Sequence, residues 1–331
     1  MNRSLQALDP QIRLFIEDVC RQGAQLRGGR EPGWPERRTI AAQARTRWRE
    51  GGPRMREVSD VQLESPHGAF GLRVLYPQAM TTAVPSPALV YLHGGGWCMF
   101  GLDTHDRLLR EYADAAGMPV LAIDYGLSPE HPYPAALDQV AIALDWLRAH
   151  GAGLGIDAGQ LALGGDSAGA NLAVATALRL REAGQLARIR ALLLNYGAWT
   201  PALSNTVRQN LGTSEDMLSG AEMDEFWTAY LGPEAEQVAG PLAAPLRADL
   251  HDLPPALLLW GDRDVLAEQN AEMARRLAEA GVPTRTQVYP GAPHSFIEAM
   301  AVSDKARDAI ARGAEWLRRH LQPSTPQGQP A

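Results

Sequence analysis

Ser167 lies in a glycine-flanked segment whose residue types suit a nucleophile. The segment, Gly165-Asp-Ser-Ala-Gly169, follows the short apolar run Leu161–Leu163 and precedes a helical stretch. A serine on such a sharp strand-to-helix turn projects its hydroxyl above the sheet, and glycines are needed beside it because a Cβ would clash there. The same residues could also be a helix N-cap among small packing residues. The pattern therefore predicts a nucleophile only if partner groups occur elsewhere in the chain.

A run of three glycines is the second candidate feature. His93-Gly94-Gly95-Gly96-Trp97 comes directly after the apolar run Ala88–Leu92. Glycine backbone lets N–H groups approach a ligand atom, and those of this loop, with the N–H of Ala168, could bind the oxyanion of a tetrahedral intermediate. His93 itself is interpreted as a structural residue that holds the loop by hydrogen bonds. A role as a second catalytic histidine is the alternative.

A serine nucleophile needs a base within hydrogen-bond distance, and the base needs a carboxylate that orients it. His294 is the predicted base because it follows the last predicted strand, Thr286–Tyr289, in a loop. This position agrees with the chain order of serine, acid and histidine that is expected on an α/β fold of this kind. His251 and His320 also come after the serine, but they are interpreted as solvated surface residues.

The orienting carboxylate is predicted in the loop Trp260-Gly-Asp262-Arg-Asp264-Val-Leu266, which follows another apolar run. Both Asp262 and Asp264 could reach the histidine, because side-chain direction does not follow from sequence alone. The other aspartate is expected to pair with Arg263 or to cap the next helix. Asp166 is not expected to orient the base because, as the direct neighbour of the serine, it points away from that side chain.

The elements that must bring these groups together alternate along the chain after residue 57. Val58–Glu64 and Phe70–Tyr76 alternate polar and apolar residues around a turn, which predicts an antiparallel hairpin. Six apolar runs predict buried strands, with amphipathic helices between most of them, so the predicted class is α/β with a mostly parallel eight-stranded central sheet flanked by helices. The six strands are predicted at Ala88–Leu92, Pro119–Ile123, Leu161–Leu163, Ala191–Leu194, Ala256–Trp260 and Thr286–Tyr289, and the helices at Asp103–Ala116, Pro134–His150, Ala168–Ala183, Leu266–Ala280 and Ser303–Leu321.

Three regions lie outside this alternation. Residues 1–50 are helical in pattern, with Asp9-Pro10 at the start of a helix that is expected to end near Gly23. The interval from residue 199 to 250 contains a predicted helix at Ala221–Leu231 and is a natural lid over a ligand site. The Pro- and Gln-rich tail Gln322–Ala331 is predicted to be disordered. The candidate pocket residues are Trp97, Tyr196, Trp199, Phe226 and Trp227, each of which could equally be core or cap packing.

Composition places the chain among globular proteins and excludes several functional classes. Its 331 residues are 45% hydrophobic and 21% charged, with a net charge of −7. The Arg-rich segment 37–56 also carries glutamates and is interpreted as a solvated helix face, so neither nucleic-acid binding nor stable membrane association is expected. No apolar run suits a signal peptide or a membrane span, which predicts a cytoplasmic protein.

The cysteine and histidine content predicts neither a disulfide framework nor a metal site. Cys20 and Cys98 are the two cysteines, and no cysteine or histidine pair has the spacing of zinc ligands. Cys98 stands just after the glycine run, where it could be either a pocket thiol or buried filler.

The motifs, in this order, resemble the signature of the hormone-sensitive-lipase-like bacterial carboxylesterases, also called family IV. The resemblance covers roughly residues 57–320 and rests on the serine and glycine motifs above, on Asp124-Tyr-Gly-Leu-Ser-Pro-Glu-His-Pro-Tyr-Pro134, on Asp264-Val-Leu266 and on Pro290-Gly-Ala-Pro-His294. It implies an α/β-hydrolase fold, with residues 1–50 as N-terminal cap helices. Residues 51–331 would form the catalytic domain, with a cap insertion at about 201–235.

The resemblance also implies roles for individual residues. Ser167 would be the nucleophile, His294 the base and Asp264 the acid, since the family's acid precedes a small residue and a leucine. The implied oxyanion donors are Gly95, Gly96 and Ala168, with Gly94 as their neighbour.

Three positions depart from the family pattern. Gly126 stands where the family usually has arginine, and Ala170 and Ser295 stand where it usually has glycine. The missing arginine predicts a less constrained segment around Gly126, and Ser295 places a hydroxyl beside the base. Neither change removes a catalytic group.

The predicted activity is hydrolysis of short-acyl carboxylic esters through an acyl-enzyme on Ser167. The expected partner is a small-molecule ester, and a homodimer is the assembly considered. No cofactor is required, because water supplies the second half-reaction. An amidase or arylformamidase that uses the same triad is the alternative enzyme. A ligand-binding pseudo-hydrolase is the non-enzyme alternative, and retention of all three triad residues argues against it.

Overall fold

A single mixed sheet organises the molecule, for which the computed structural model describes residues 7–80, 84–213 and 216–321. The predicted tail Gln322–Ala331 lies outside the described residues. The strands are β1 (Met55–Leu63), β2 (Phe70–Pro77), β3 (Ser86–Leu92), β4 (Val120–Asp124), β5 (Ile156–Asp166), β6 (Ile189–Asn195), β7 (Ala256–Gly261) and β8 (Thr284–Tyr289). They lie side by side in the order β1-β2-β4-β3-β5-β6-β7-β8.

The strand pairing confirms the predicted sheet and hairpin. β1 and β2 are antiparallel, with Leu63 opposite Phe70, and β2 is antiparallel to β4. The remaining six strands, β3 to β8, are parallel. β3, β4, β6 and β7 have mostly buried, apolar interiors because both faces of a parallel sheet are covered by helices. The prediction of a buried apolar strand is wrong for β8, which lies at the edge of the sheet, is largely polar and is buried only at Tyr289.

The strand order reverses at β3, and this reversal positions the site. β3 lies between β4 and β5, with Leu92 paired to Ile123 on one side and to Gly165 on the other. The carboxyl ends of β3 and β5 are therefore neighbours, and the glycine run after β3 meets the serine turn after β5. A crevice at such a switch point is the usual ligand site of an open α/β sheet.

Eleven helices are present in the described residues. Five follow the predicted pattern and flank the sheet. They are α4 (Leu102–Ala116), α5 (Ala135–His150), α6 (Ala168–Glu182), α10 (Ala267–Glu279) and α11 (Asp304–His320). α4 packs on α11, and α5 packs on α6. α6 is buried from Ala168 to Leu178, and its many alanines let it lie close against β3, β5 and β6.

The other six helices belong to the N-terminal segment and to the insertion after β6. They are α1 (Pro10–Arg27), α2 (Trp34–Ala44), α3 (Thr46–Arg49), α7 (Asn205–Asn210), α8 (Gly220–Leu231) and α9 (Ala235–Val238). Asp9 caps α1 by accepting from two backbone N–H groups, and Ser219 with Glu222 forms a capping box on α8. We call α1 to α3 and α7 to α9 the cap helices. The division of the chain into domains stays a prediction.

The largest differences from the predicted bounds are in two elements, α1 and β5. α1 continues past Gly23 to Arg27 and stops at Gly28, which adopts the left-handed conformation that ends helices. β5 begins at Ile156, which pairs with Ser86, rather than at Leu161. The earlier start was not predicted because residues 157–160, between Ile156 and Leu161, interrupt the apolar run. Among the described residues, no helix is long and apolar enough to cross a membrane.

Candidate active site

Ser167 occupies a strained turn between β5 and α6. Its φ of 53° and ψ of −117° form a conformation that residues other than glycine rarely adopt, and its N–H donates to the carbonyl of Asn195 at 2.9 Å. The flanking glycines are required by contact. A Cβ on Gly169 would lie 1.9 Å from the carbonyl oxygen of Leu92, and one on Gly165 would lie 2.5 Å from the same atom.

Three side chains that are distant in sequence meet at this turn. Nε2 of His294 lies 2.9 Å from Oγ of Ser167, and Nδ1 of His294 lies 2.8 Å from Oδ2 of Asp264. The other carboxylate oxygen of Asp264 accepts from the backbone N–H of Leu266 at 2.8 Å, and the side chain has no exposed surface. This arrangement can pass a proton from a hydroxyl to an imidazole that a buried carboxylate orients.

Asp262, the other candidate acid, points elsewhere. Its Oδ1 accepts from the N–H of Gly291 at 2.7 Å, and its own N–H donates to the carbonyl of Tyr289. Burial raises the pKa of Asp262 above its ordinary value. The carboxylate therefore holds the loop that leads from β8 to His294 and does not contact the imidazole.

The glycine run forms a tight loop beside the serine, which we call the oxyanion loop, residues Gly94–Met99. Gly95 and Gly96 have φ of 111° and 59°. The carbonyl of Gly95 accepts from the N–H groups of Cys98 and Met99 at 3.0 and 2.9 Å. Gly95 and Gly96 line the same cavity as Ser167 and His294, whereas Gly94 lies behind them.

Steric contacts explain why this loop is built from glycine. A Cβ on Gly94 would lie 2.3 Å from a carboxylate oxygen of Asp166, and one on Gly95 would lie 2.3 Å from the carbonyl oxygen of Met99. The N–H of Ala168 completes the predicted donor set. It is the first residue of α6, so its N–H has no acceptor within the helix.

A buried ion pair that the sequence did not reveal supports the loop from below. Oδ1 of Asp166 accepts from the N–H of Gly94 at 3.1 Å and from the hydroxyl of Tyr91 at 3.0 Å, and Nε2 of His105 lies 3.3 Å from it. Burial opposes both charges, but their attraction outweighs it. The pKa of Asp166 is therefore lowered and the pKa of His105 is raised.

His93 has the structural position that was predicted for it. Its ring stacks on Tyr125 at 4.2 Å, and Nδ1 donates to the carbonyl of Gly94 at 2.8 Å. Burial, together with the nearby His105 charge, lowers the pKa of His93 to about 3, so the ring is neutral. It is not among the residues that line the cavity.

The cavity in front of Ser167 has a volume of about 270 Å³, and on the cap side it is lined by α1, α2 and α8. Four charged residues lie on its wall. Arg37 and Arg45 are paired with Glu225 and Glu298 respectively, Glu222 accepts from the hydroxyl of Ser219, and Arg27 is the fourth. Most of the remaining wall is apolar, formed by Val19, Ile40, Ala41, Ala44, Met99, Phe100, Met217, Leu218, Met223 and Phe226. Such a wall suits an uncharged ligand with apolar groups.

Four of the five aromatic residues predicted for the pocket do not line this cavity. Trp97 stacks on Tyr230 at 4.3 Å and contacts Trp227 at 4.4 Å, so these rings join the oxyanion loop to α8. Phe226, on the same helix, does line the cavity. The pocket prediction is therefore corrected for Trp97 and Trp227, which are buried in packing between the loop and the cap.

The prediction of Tyr196 and Trp199 as pocket residues is also wrong, because neither lines the cavity. Tyr196 packs edge-on against His294 with the ring centres 4.9 Å apart, so it supports the base from behind. Trp199 is fully buried, and its Nε1 donates to Oδ1 of Asn270 at 3.1 Å. An aromatic residue type alone does not separate these packing roles from ligand contact.

The remaining sequence expectations concern Cys98 and the departures from the family pattern. Cys98 is fully buried and does not line the cavity, and burial raises the pKa of its thiol to about 12. The segment around Gly126 is not loose. The N–H of Gly126 donates to Oε1 of Gln139 at 2.6 Å, and the N–H of Ser128 donates to the carbonyl of Trp97 at 2.8 Å. Ser295 lies on the cavity wall beside the base.

Among the described residues, no group of three or more His, Cys, Asp or Glu side chains is arranged to hold a metal ion.

Comparison with known proteins agrees with the fold. The family model described as the alpha/beta hydrolase fold matches residues 89–298. Esterase LipI of Mycobacterium tuberculosis is 33% identical over 267 residues, which cover 80% of this chain and 82% of that protein. Ethyl acetate hydrolase of Pseudomonas putida is 32% identical over 265 residues, which cover 80% and 83%.

Solved structures give the same result. A hyperthermophilic esterase from the archaeon Pyrobaculum calidifontis superposes with a TM-score of 0.84 at 28% identity, covering 95% of this chain and 98% of that one. The α/β hydrolase LAE6 from the metagenome of Lake Arreo has the same TM-score at 30% identity, with the same coverage. The chain therefore belongs to the α/β-hydrolase fold family, among its hormone-sensitive-lipase-like, or family IV, carboxylic ester hydrolases.

Proposed function

We propose that this esterase hydrolyses small carboxylic esters through an acyl-enzyme on Ser167. The observation that carries the proposal is the continuous contact from Oγ of Ser167 through His294 to the buried carboxylate of Asp264. This contact lies at the wall of an apolar cavity that the oxyanion loop also lines.

In the first half-reaction, Nε2 of His294 accepts the proton of Ser167 while Oγ forms a bond to the ester carbonyl carbon. The carbonyl oxygen becomes an oxyanion, for which the N–H groups of Gly95, Gly96 and Ala168 are the proposed donors. Each such donor can contribute roughly 3 kcal/mol to transition-state stabilisation. The intermediate collapses when the carbon–oxygen bond to the alcohol breaks and His294 returns its proton to the leaving oxygen.

Water completes the reaction by the same route. His294 accepts a proton from a water molecule, whose oxygen attacks the acyl carbon, and then returns the proton to Oγ as the acid leaves. Asp264 keeps Nδ1–H of the imidazole in place, so that Nε2 faces the serine in the form that can accept a proton. It also stabilises the imidazolium that forms during each step.

Cavity size supports small substrates. A volume of about 270 Å³ is just below the range of roughly 300–1,000 Å³ that is typical of sites for drug-sized ligands. A short acyl chain and a small alcohol fit this space without removal of the cap. The relative named ethyl acetate hydrolase acts on an ester of that size, which is consistent with the proposal.

The test compares wild-type protein with Ser167→Ala on p-nitrophenyl acetate, butyrate and octanoate. We expect the variant to lose at least about 10³-fold in kcat while its circular dichroism and thermal unfolding stay those of a folded protein. We also expect the wild type, and not the variant, to be labelled covalently by an organophosphate. Activity of the variant near that of the wild type would remove the proposal.

Two further outcomes separate the alternatives. Faster turnover of N-formylkynurenine than of aryl esters would favour the arylformamidase alternative. Absence of both turnover and labelling in the wild type would favour a ligand-binding pseudo-hydrolase. The homodimer and the cytoplasmic location stay predictions from the sequence.

A further inference from the structure

Arg38 of α2, a cap helix, contacts the loops that follow β3 and β4. Its Nε donates to the carbonyl of Cys98 at 2.7 Å, and its Nη2 donates to the carbonyl of Ser128 at 2.8 Å. Nη1 and Nη2 of the guanidinium both donate to the carboxylate of Glu130, and the shorter contact, from Nη2, is 2.6 Å. The two carbonyl contacts are partly buried, whereas the ion pair with Glu130 is exposed.

The bond to Cys98 leads directly to the oxyanion loop. The carbonyl of Cys98 belongs to the same rigid peptide unit as the N–H of Met99, and that N–H donates to the carbonyl of Gly95 at 2.9 Å. The carbonyl of Gly95 in turn belongs to the same peptide unit as the N–H of Gly96. Two planar peptide groups in series therefore join the guanidinium of Arg38 to a proposed oxyanion donor.

We propose that Arg38 is a positioning residue, which sets the direction of the Gly96 N–H through the peptide groups Cys98–Met99 and Gly95–Gly96. The inference rests on the proposed function, in which the Gly96 N–H binds the oxyanion. In a trans peptide the carbonyl and the N–H point in opposite directions, so rotation of one peptide group turns the next. The positive charge at the start of the series also polarises each hydrogen bond along it.

The hydrogen bond from Arg38 to the carbonyl of Ser128 fixes the guanidinium relative to the loop after β4. Ser128 lies in the loop that follows β4, and its N–H donates to the carbonyl of Trp97 within the oxyanion loop at 2.8 Å. Arg38 thus ties together the loops after β3 and β4. Because the guanidinium is planar and its donors form a rigid fork, these acceptors restrict its orientation in a way that a lysine ammonium would not reproduce.

Other arginines near the start of the cap make different contacts. Arg30 pairs with Glu36 and donates to the carbonyls of Arg27 and Leu26, all within the N-terminal segment. Loss of Arg30 therefore removes cap contacts without touching either loop. It serves as the matched control for any general loosening of the cap.

The experiment measures kcat and KM of four variants on p-nitrophenyl butyrate, beside wild type and Ser167→Ala. For Arg38→Ala we expect about a tenfold lower kcat with KM within twofold of wild type, because a displaced donor weakens transition-state binding more than substrate binding. Arg38→Lys should recover part of the loss, since its single ammonium can still reach one carbonyl. Glu130→Gln and Arg30→Ala should stay within twofold of wild type.

A transition-state analogue supplies a readout that a merely structural role would not change. A trifluoromethyl ketone adds to Oγ of the serine, whose proton passes to His294, and the resulting oxyanion occupies the loop. We expect its inhibition constant to rise in Arg38→Ala by the same factor as kcat/KM falls. Thermal unfolding of Arg30→Ala and Arg38→Ala is compared to exclude partial unfolding.

The inference is overturned if kcat of Arg38→Ala stays within twofold of wild type, if the loss appears in KM alone, or if Arg30→Ala shows the same loss. Each of these results leaves the proposed function intact. Failure of the proposed function has a separate signature, because wild type would then not hydrolyse the ester or Ser167→Ala would hydrolyse it equally well.

Discussion

The ring of Phe226 lies against the backbone of Gly96, so closely that a Cβ on this glycine would come within 2.3 Å of the ring carbon Cγ. Phe226 projects from α8 of the cap insertion, whereas Gly96 belongs to the oxyanion loop. A cap side chain therefore forms part of the wall directly beside the proposed oxyanion donors. Its size should limit the acyl group that the cavity accepts.

Phe226→Ala should shift the acyl-chain preference towards longer esters. If removal of the ring makes room for two more methylene groups, their burial gains roughly 1.6 kcal/mol, which corresponds to about a fifteenfold increase in the kcat/KM ratio of hexanoate to acetate. The measurement is a p-nitrophenyl ester series from acetate to octanoate. Phe226→Leu, which keeps most of the bulk, is the control and should change the ratio less. An unchanged ratio in the alanine variant would show that another residue sets the limit.

The two aspartates of the loop after β7 should respond differently to amide substitution. Asp264→Asn removes the carboxylate that faces Nδ1 of His294 and should lower kcat by about 10³–10⁴-fold. Asp262→Asn keeps an oxygen that can accept from the N–H of Gly291, so it should remain within a fewfold of wild type. Steady-state kinetics of both variants check this. A larger loss in Asp262→Asn would reverse the assignment of the acid.

Local pattern was sufficient to predict the groups that depend on local geometry. Ser167 could be found because the glycines around it are demanded by a turn that places their Cα atoms against Leu92. The glycine run and His294 could be found because they follow predicted strands, and the carboxyl ends of neighbouring strands meet at one edge of a sheet. The alternation of strands and helices also predicted the sheet, because hydrophobic periodicity is a local signal.

Side-chain direction and tertiary partners could not be predicted in this way. Asp262 and Asp264 are two residues apart on one loop, and which of them faces the base depends on Gly291, 27 to 29 positions away in the chain. The contact of His105 with Asp166 depends on how α4 packs beneath the loop. Trp97 could not be distinguished from a pocket residue, because stacking and ligand binding use the same aromatic surface.

The two cysteines should differ in reactivity. Burial raises the pKa of both thiols, but Cys20 is exposed at the rim of the cavity, whereas Cys98 is fully buried and its pKa is raised to about 12. Because the thiolate is the reactive form, a disulfide reagent such as Ellman's should label one thiol in the native protein and two in guanidinium chloride. Cys20→Ser should give none under native conditions. Rapid native labelling of that variant would mean that Cys98 opens to solvent.

The buried pair of His105 and Asp166 should stabilise the fold in a pH-dependent manner. The pKa of Asp166 is lowered in the folded protein, so its contribution is present above the ordinary aspartate value of about 4 and is lost at more acidic pH. The pKa of His105 is raised, so its contribution is complete below the ordinary histidine value of about 6.5 and is lost as pH rises through the folded value. Both contributions are therefore complete between about pH 4 and 6.5.

His105→Gln should accordingly lower the free energy of unfolding most at mildly acidic pH. We expect a loss of about 3 kcal/mol at pH 6, where the variant leaves the Asp166 carboxylate buried without its charged partner, and a smaller loss at pH 9. The other charged or titratable groups near His105 are Arg45, Glu298 and His93. Arg45 and Glu298 are paired with each other, and burial keeps His93 neutral, so the pH dependence is expected from the pair of His105 and Asp166.

Denaturant unfolding of wild type and variant at pH 6, 7.5 and 9 measures this difference, and His251→Gln is the matched control. His251 also contacts an aspartate, Asp249, but both side chains are 67% exposed, so water screens the pair and its removal should change stability little at any of these pH values. A difference between wild type and His105→Gln that stays constant from pH 6 to pH 9 would contradict the prediction. It would mean that the histidine supports Gly94 and the oxyanion loop by packing and a neutral hydrogen bond, and not by its charge.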